Sequence, residues 1–194
     1  IPKFLSAEEV ASIHDVAEAF IAQKAVQNAA PQGQASPDGA PAEAGAPARS
    51  SPAWETGRKW NVSFLHSGGL FQAKLPAIRR RILELGRRSD REHWGQMAAA
   101  GLPEEKLGIR FVEYHRMVEG AGLANPRHYD SGSTVTIDIM LSDSAAGDFE
   151  GGRFQTLEAD GELLPHRFEI GDALVFVSHK YHCVAPLTAG RRRV

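Results

Sequence analysis

Between Val10 and Ile21 the apolar residues Val10, Ile13, Val16, Ala17, Phe20 and Ile21 recur at three- and four-residue intervals, the spacing that lines one face of a helix. Ser6 and Glu9 stand just ahead of this run. The serine hydroxyl can accept from the third helical amide while Glu9 reaches back to the serine amide, so a helix should begin there. A second helical stripe, Leu75, Ile78, Ile82 and Leu85, runs through a basic segment that ends near Arg88. Its arginines, Arg79 to Arg81 with Arg87 and Arg88, read as a solvated face.

Past Leu102 and Pro103 the period falls to two. Strand-like runs cover 109–117, 133–141, 149–157, 167–170, 173–177, 183–187 and the chain from 191 on, with a further run at 58–65 ahead of the second helix. Strands this closely spaced, with turn residues between them, imply packed sheets rather than alternating βαβ units. The fold class expected is mainly β with flanking N-terminal helices. From 29 to 53 the chain turns to Ala, Pro, Gly and Ser with almost no large apolar residues, a composition that cannot offset ordering entropy, and a disordered loop is expected there.

Composition narrows the function classes. A chain of 194 residues with 42% hydrophobic content can bury its own core as one domain, 1–194. The formal charge of -2 supplies no basic field, so no nucleic-acid partner is expected. Cys183 is the single cysteine and excludes an intrachain disulfide. No apolar run approaches the roughly 20 residues that span a bilayer. Because the chain opens at Ile1 and closes at Val194 within a strand-like run, both ends are expected to be cuts.

His128 and Asp130 lie two residues apart, so in an extended segment they share a face with Cα atoms roughly 6.6 Å apart. Both can reach one ion. The tripeptide is weak by itself and gains weight from the segments downstream of it. Gly171-Asp172-Ala173-Leu174-Val175-Phe176 leads into His182-Cys183-Val184-Ala185-Pro186-Leu187-Thr188-Ala189-Gly190-Arg191-Arg192. Between the tripeptide and this pair lie Leu141-Ser142-Asp143 and Glu150-Gly151-Gly152-Arg153-Phe154. In this order the segments resemble the 2-oxoglutarate/Fe(II) oxygenase superfamily, and most closely its prolyl 4-hydroxylase-like branch, over about residues 107 to 194. Leu187 stands where that branch has valine, and Asn125 where it has a tyrosine three residues before the first ligand.

The resemblance implies a double-stranded β-helix, or jelly roll, with its core at 107–194 and its last strand cut short. It implies Fe(II) held by His128, Asp130 and His182 on one side, leaving positions for 2-oxoglutarate and O2. Straight chain from His182 to Arg192 would span roughly 33 Å, so Pro186 and Gly190 are expected to reverse it. In the strand after that turn, Arg192 faces one way and Arg191 and Arg193 the other. Family spacing selects Arg192 to grip the distal carboxylate of 2-oxoglutarate with two parallel bonds. Tyr114 matches a family tyrosine that binds the same carboxylate.

His166 and His179 compete for the second imidazole position but lack the register found after His182. Cys183 is read as a wall residue, and His14, His66, His93 and His115 as structural. The implied reaction couples decarboxylation of 2-oxoglutarate to succinate with hydroxylation of a C–H bond in a peptide, protein or small-molecule substrate. A peptidyl prolyl residue is one candidate substrate, and the branch adds ascorbate as a candidate cofactor. Two alternatives stay open: an AlkB-type oxidative demethylase, and a catalytically silent jelly-roll module that binds metal or a protein partner.

Overall fold

The capping box forms as read. The Glu9 amide donates to Ser6 Oγ at 3.2 Å and the Ser6 amide to Glu9 Oε2 at 3.0 Å, opening helix α1 (Ala7–Ala29). The computed structural model describes residues 1–29 and 59–194; apart from its first position, the Ala/Pro-rich loop expected at 29–53 lies outside the described residues. Next come strand β1 (Trp60–Phe64) and helices α2 (Leu70–Lys74), α3 (Pro76–Ser89) and α4 (Gln96–Ala99). Proline at the start of α3 costs nothing, because its missing N–H has no partner there in any case. Val10, Ile13 and Ala17 of α1 are buried together with Leu75, Ile78, Leu65 and Phe71, which makes one core cluster. Part of the basic face of α3 is structural rather than solvated. Arg81 bonds the Glu9 carboxylate and the Phe4 carbonyl, and Arg87 donates to the carbonyls of Glu105 and Leu107.

The remaining strands are β2 (Glu113–Val118), β3 (Leu123–His128), β4 (Val135–Ile139), β5 (Phe149–Gly151), β6 (Phe154–Leu157), β7 (Leu163–His166), β8 (Ala173–Val177), β9 (His182–Val184) and β10 (Leu187–Arg193). All pairings are antiparallel, in sheets ordered β1-β2-β10-β5, β3-β9-β6-β7 and β4-β8. Just past β4, the Leu141 amide donates to Arg193 O at 3.0 Å and Ser142 Oγ accepts from the Arg193 amide at 2.9 Å, which joins this pair to β10. Met117, Met140, Phe149, Phe154, Phe176, Val184 and Leu187 form a second core cluster. Strand alternation separates the two clusters: Met140 belongs to the second, while its neighbour Leu141 belongs to the first, under the helices.

Three strand readings need correction. The run at 149–157 is two strands, because Gly151 and Gly152 take positive φ (75° and 61°) and break it. The run at 167–170 is not a strand: the Asp172 amide bonds Glu169 O and the Glu169 amide bonds Asp172 Oδ2, a turn that closes at Gly171. The segments read as connections at Leu123–His128 and Leu163–His166 are strands instead. They contain Pro126 and Pro165, and they are the two edges of their sheet, where a residue without N–H is tolerated. The reversal expected from Pro186 and Gly190 belongs to Ala185 and Pro186 alone. Gly190 lies inside β10 with φ 77°, where an added Cβ would sit 2.2 Å from Asp148 O.

Candidate metal centre

His128 ends β3 and His182 begins β9, and the two are register partners, so their side chains leave the sheet on the same side. Their ring centroids are 5.0 Å apart at 88°. Asp130 follows two residues later, fixed by its amide, which donates to Ser178 O at 2.8 Å. Its Oδ1 is 3.4 Å from His128 Nε2 and 3.8 Å from His182 Nε2. One donor atom from each of the three lies within 4.8 Å of the others. Ligands at right angles around an ion with bonds of about 2.1 Å are about 3 Å apart, so Asp130 Oδ1 needs to approach each imidazole by less than about 1 Å, and the two imidazoles must close by up to about 1.8 Å. Two imidazole nitrogens and a carboxylate oxygen on one side suit Fe(II) with open positions.

Neighbouring groups aim the donors. Thr136 Oγ1 donates to Asp130 Oδ2 at 2.7 Å, which leaves Oδ1 for the ion. The Thr136 hydroxyl has spent its hydrogen, so Ser178 Oγ, 2.8 Å away and fully buried, donates to it. His182 Nδ1 is 2.9 Å from Lys180 O; a carbonyl can only accept, so Nδ1 carries the hydrogen and Nε2 presents its lone pair. Phe154 stacks on the His182 ring (5.3 Å, 23°) and Phe176 meets it edge-on (5.1 Å, 65°). The His182 side chain is 7% exposed and that of His128 is 41%, so one ligand is locked in the core while the other lies at the mouth.

A cavity of about 1050 Å³ extends from these three residues to Arg192, passing Trp60, His115, Met117 and Asp138. Arg192 is register partner to Met117 and is 3% exposed, whereas Arg191 is exposed and Arg193 half-buried. Its Nη1 donates to Met117 Sδ at 3.3 Å, a weak acceptor, and its Nε has no partner among the described residues. The guanidinium lies 5.9 Å from the Phe168 ring centroid. Gly152 makes room for the arginine stem, since an added Cβ would sit 3.2 Å from Arg192 Cδ and 2.7 Å from Leu187 Cδ1. Burial pulls the Arg192 pKa below its ordinary value, and the Asp138 carboxylate opposes that shift.

Tyr114 also lines this cavity, but its hydroxyl is turned away from Arg192. It lies three residues before Met117 on β2, hence on the other side of the strand from Arg192. Its hydroxyl is 2.7 Å from His14 Nδ1 in the helix-side cluster. His166 bonds Thr156 at 2.7 Å, and neither it nor His179 is among the converging donors. His14 is tied to the Leu141 carbonyl, and His66 Nδ1 accepts from the Val112 amide at 3.1 Å. His115 is tied to Trp60 and Glu113 but also lines the cavity. Cys183, buried and facing away from His182, has its thiol pushed up by burial. The sequence reading missed Asp138, Thr136 and Ser178. The signal for Asp138 was present: a carboxylate at the same parity as Thr136 and Met140 within an otherwise apolar strand.

No known family model and no curated protein matches the chain. Solved structures do resemble it, a prolyl-4-hydroxylase and a 2OG-Fe(II) oxygenase family protein among them. A Pseudomonas putida prolyl-4-hydroxylase overlaps at a TM-score of 0.49 and 17% identity, covering 100% of this chain and 86% of that one. A 2OG-Fe(II) oxygenase family oxidoreductase from Burkholderia pseudomallei gives 0.47 and 16%, over 70% and 66% of the two chains. AviO1 from Streptomyces viridochromogenes gives 0.46 and 20%, over 99% and 84%.

Proposed function

We propose that this chain is an Fe(II)- and 2-oxoglutarate-dependent dioxygenase that hydroxylates a substrate C–H bond. One observation carries the reading: three ligand side chains of the right chemistry converge at one end of a cavity whose other end holds a buried guanidinium with an unused donor. Packing requires neither feature, and burying a charge without a matched partner costs stability. The strand pairing supports a double-stranded β-helix. The strands pair outside-in, β2 with β10, β3 with β9, β4 with β8 and β6 with β7, as in a long hairpin wound on itself.

On this reading His128, Asp130 and His182 hold Fe(II), and the bound metal with 2-oxoglutarate and O2 supplies the oxidising power that turns C–H into C–OH, leaving succinate and CO2. Arg192 grips the distal carboxylate of 2-oxoglutarate and thereby sets the reach of its 2-oxo acid end toward the ligands. Tyr114, bonded to His14, leaves this task to Arg192. Thr136, Ser178 and the Lys180 carbonyl hold the ligand atoms in place. Phe154 and Phe176 keep the buried ligand dry. The substrate approaches from the side of His128, the exposed ligand. A peptidyl prolyl residue is the first candidate to supply.

The test is an anaerobic Fe(II) titration with 2-oxoglutarate, watching for the visible metal-to-ligand charge-transfer band. Succinate release with candidate peptides, with and without ascorbate, is measured next. The band is expected. Its absence in protein that binds Fe(II) stoichiometrically would favour the silent module.

A further inference from the structure

Asp138 is a carboxylate inside the cavity that neither the ligand set nor the packing requires. It occupies the middle of β4, register partner to Leu174, and shares its side of the strand with Thr136, the hydroxyl that orients Asp130. Leu174 and Phe176, opposite Asp138 and Thr136, belong to the inner cluster, so this side of β4 faces inward, where Asp138 lines the cavity. Among the described residues Asp138 makes no hydrogen bond and no ion pair. It interacts through space with Arg192, whose Nε is also unpartnered. A guanidinium and a carboxyl therefore face one space without closing on each other. Direct contact would have satisfied both, and their separation leaves room for a ligand group between them.

The pair determines the chemistry of that group. An ionised Asp138 would cancel the charge of Arg192 and repel an incoming carboxylate, whereas a protonated one is a donor beside a donor, matched to the two oxygens of a carboxylate. We propose that Asp138 is a second cosubstrate-binding residue, whose protonated carboxyl donates to one oxygen of the distal carboxylate of 2-oxoglutarate while Arg192 grips the other. The inference rests on the functional reading above.

The surroundings support it. Burial raises the Asp138 pKa above the ordinary aspartate value. The charged and titratable groups acting on it are His115 from β2, Arg192 from β10, Asp130 beyond β3 and His182 from β9; β8 offers only the apolar Leu174 and Phe176. His115, Arg192 and His182 draw the value down and Asp130 pushes it up, so desolvation is the main cause of the rise. A bound carboxylate adds a negative charge beside it and raises the pKa further. Binding therefore takes up a proton whenever Asp138 is ionised in the free protein, and affinity falls as pH rises through the free-protein pKa.

The experiment is calorimetric titration of 2-oxoglutarate into the Mn(II)-loaded protein from about pH 6 to about pH 9. It uses two buffers of different ionisation enthalpy, so that proton uptake is read directly. Wild type is expected to take up as much as about one proton per 2-oxoglutarate, with Kd rising up to about tenfold per pH unit. Asp138→Asn keeps a donor without a titrating proton and should bind with no uptake at that site and a flatter pH profile. Asp138→Leu should bind more weakly than Asp138→Asn at every pH. Equal Mn(II) affinity in all three proteins establishes that the variants are folded. If wild type and Asp138→Asn show the same uptake and slope, the assignment of Asp138 is overturned while the cosubstrate reading stands. If wild type binds Mn(II) but no 2-oxoglutarate, the functional reading fails and takes this proposal with it.

Discussion

The sheet that contains β2 and β10 has buried polar groups on both of its sides, and the protein treats the two sides differently. On the helix side, His14 Nε2 is 2.9 Å from Leu141 O and must donate to it, so Nδ1 accepts from the Tyr114 hydroxyl at 2.7 Å. α1, β2 and the end of β4 are thereby tied through one imidazole. The Ser63 hydroxyl and Arg116 Nε are left bare there, though Arg116 also pairs with Glu18 at 3.9 Å. On the cavity side, Arg192 has a thioether for a partner and Asp138 has none among the described residues, while His128 Nε2, His182 Nε2 and Asp130 Oδ1 point at one another across 3.4 to 4.8 Å. Groups that serve packing are mostly closed on protein partners. An open atom alone is therefore no mark of a ligand site; what sets the cavity side apart is that its open groups line one cavity and three of them converge.

The largest effect that tests this contrast is loss of a ligand. His128→Ala, Asp130→Ala and His182→Ala should each weaken Fe(II) binding by more than the roughly 10–100-fold typical of losing an outer partner, with His182→Ala the worst because it also opens the Phe154–Phe176 clamp. Thr136→Val removes the hydrogen bond to Asp130 Oδ2 but no ligand, and should fall within that roughly 10–100-fold range. Anaerobic Fe(II) titration ranks all four. If His166→Ala or His179→Ala weakened metal binding as much as His182→Ala, the ligand assignment would be wrong.

Next come the three terminal arginines, alike in sequence and unlike in burial. Arg192→Ala should leave Fe(II) binding intact and raise the 2-oxoglutarate requirement roughly a hundredfold, as expected from hydrogen bonds to a charged group worth about 1.5–3 kcal/mol. Arg191→Ala and Arg193→Ala, at exposed and half-buried positions, should change it little. The measurement is the 2-oxoglutarate dependence of succinate release. Equal effects at all three positions would mean a diffuse positive field rather than a single grip.

The parity of those arginines was legible in the sequence because strand geometry alone dictates it. The same was true of His128 with Asp130, of the capping box at Ser6 and of the helical stripes, all of which depend on local spacing. The features that escaped depended on neighbours in space. The prolines of β3 and β7 argue against strands until the sheet order shows both at an edge. Tyr114 was assigned by its position in a motif, and only the β2 register reveals that it faces the helices. Asp138 is an ordinary single acid in a strand until β10 brings Arg192 to the same cavity.

The smallest effects test the two sides through stability, where they should have opposite signs. Tyr114→Phe removes a donor and leaves His14 Nδ1 buried without its partner, which should cost about 1–2 kcal/mol and lower Tm by about 2–8 °C. Burial pushes the Tyr114 pKa up to about 12, so its proton is held more tightly in the folded chain than in the unfolded one. The contribution is therefore complete below the unfolded tyrosine value of about 10 and is lost as pH rises through about 12. Asp138→Leu should act the other way, raising stability by about 1 kcal/mol at neutral pH by removing a half-buried carboxyl that makes no hydrogen bond among the described residues. Its pH dependence reflects a raised folded-state pKa: the ionisation part of the Asp138 cost is absent below the ordinary aspartate range and grows as pH climbs toward the folded-state value. Thermal melts of both variants and wild type at about pH 5 and about pH 8 resolve the signs. A stabilised Asp138→Leu that binds 2-oxoglutarate poorly would mean stability is given up for function on the cavity side. A destabilised one would mean that Asp138 is a packing residue, and that the two sides of the sheet are alike after all.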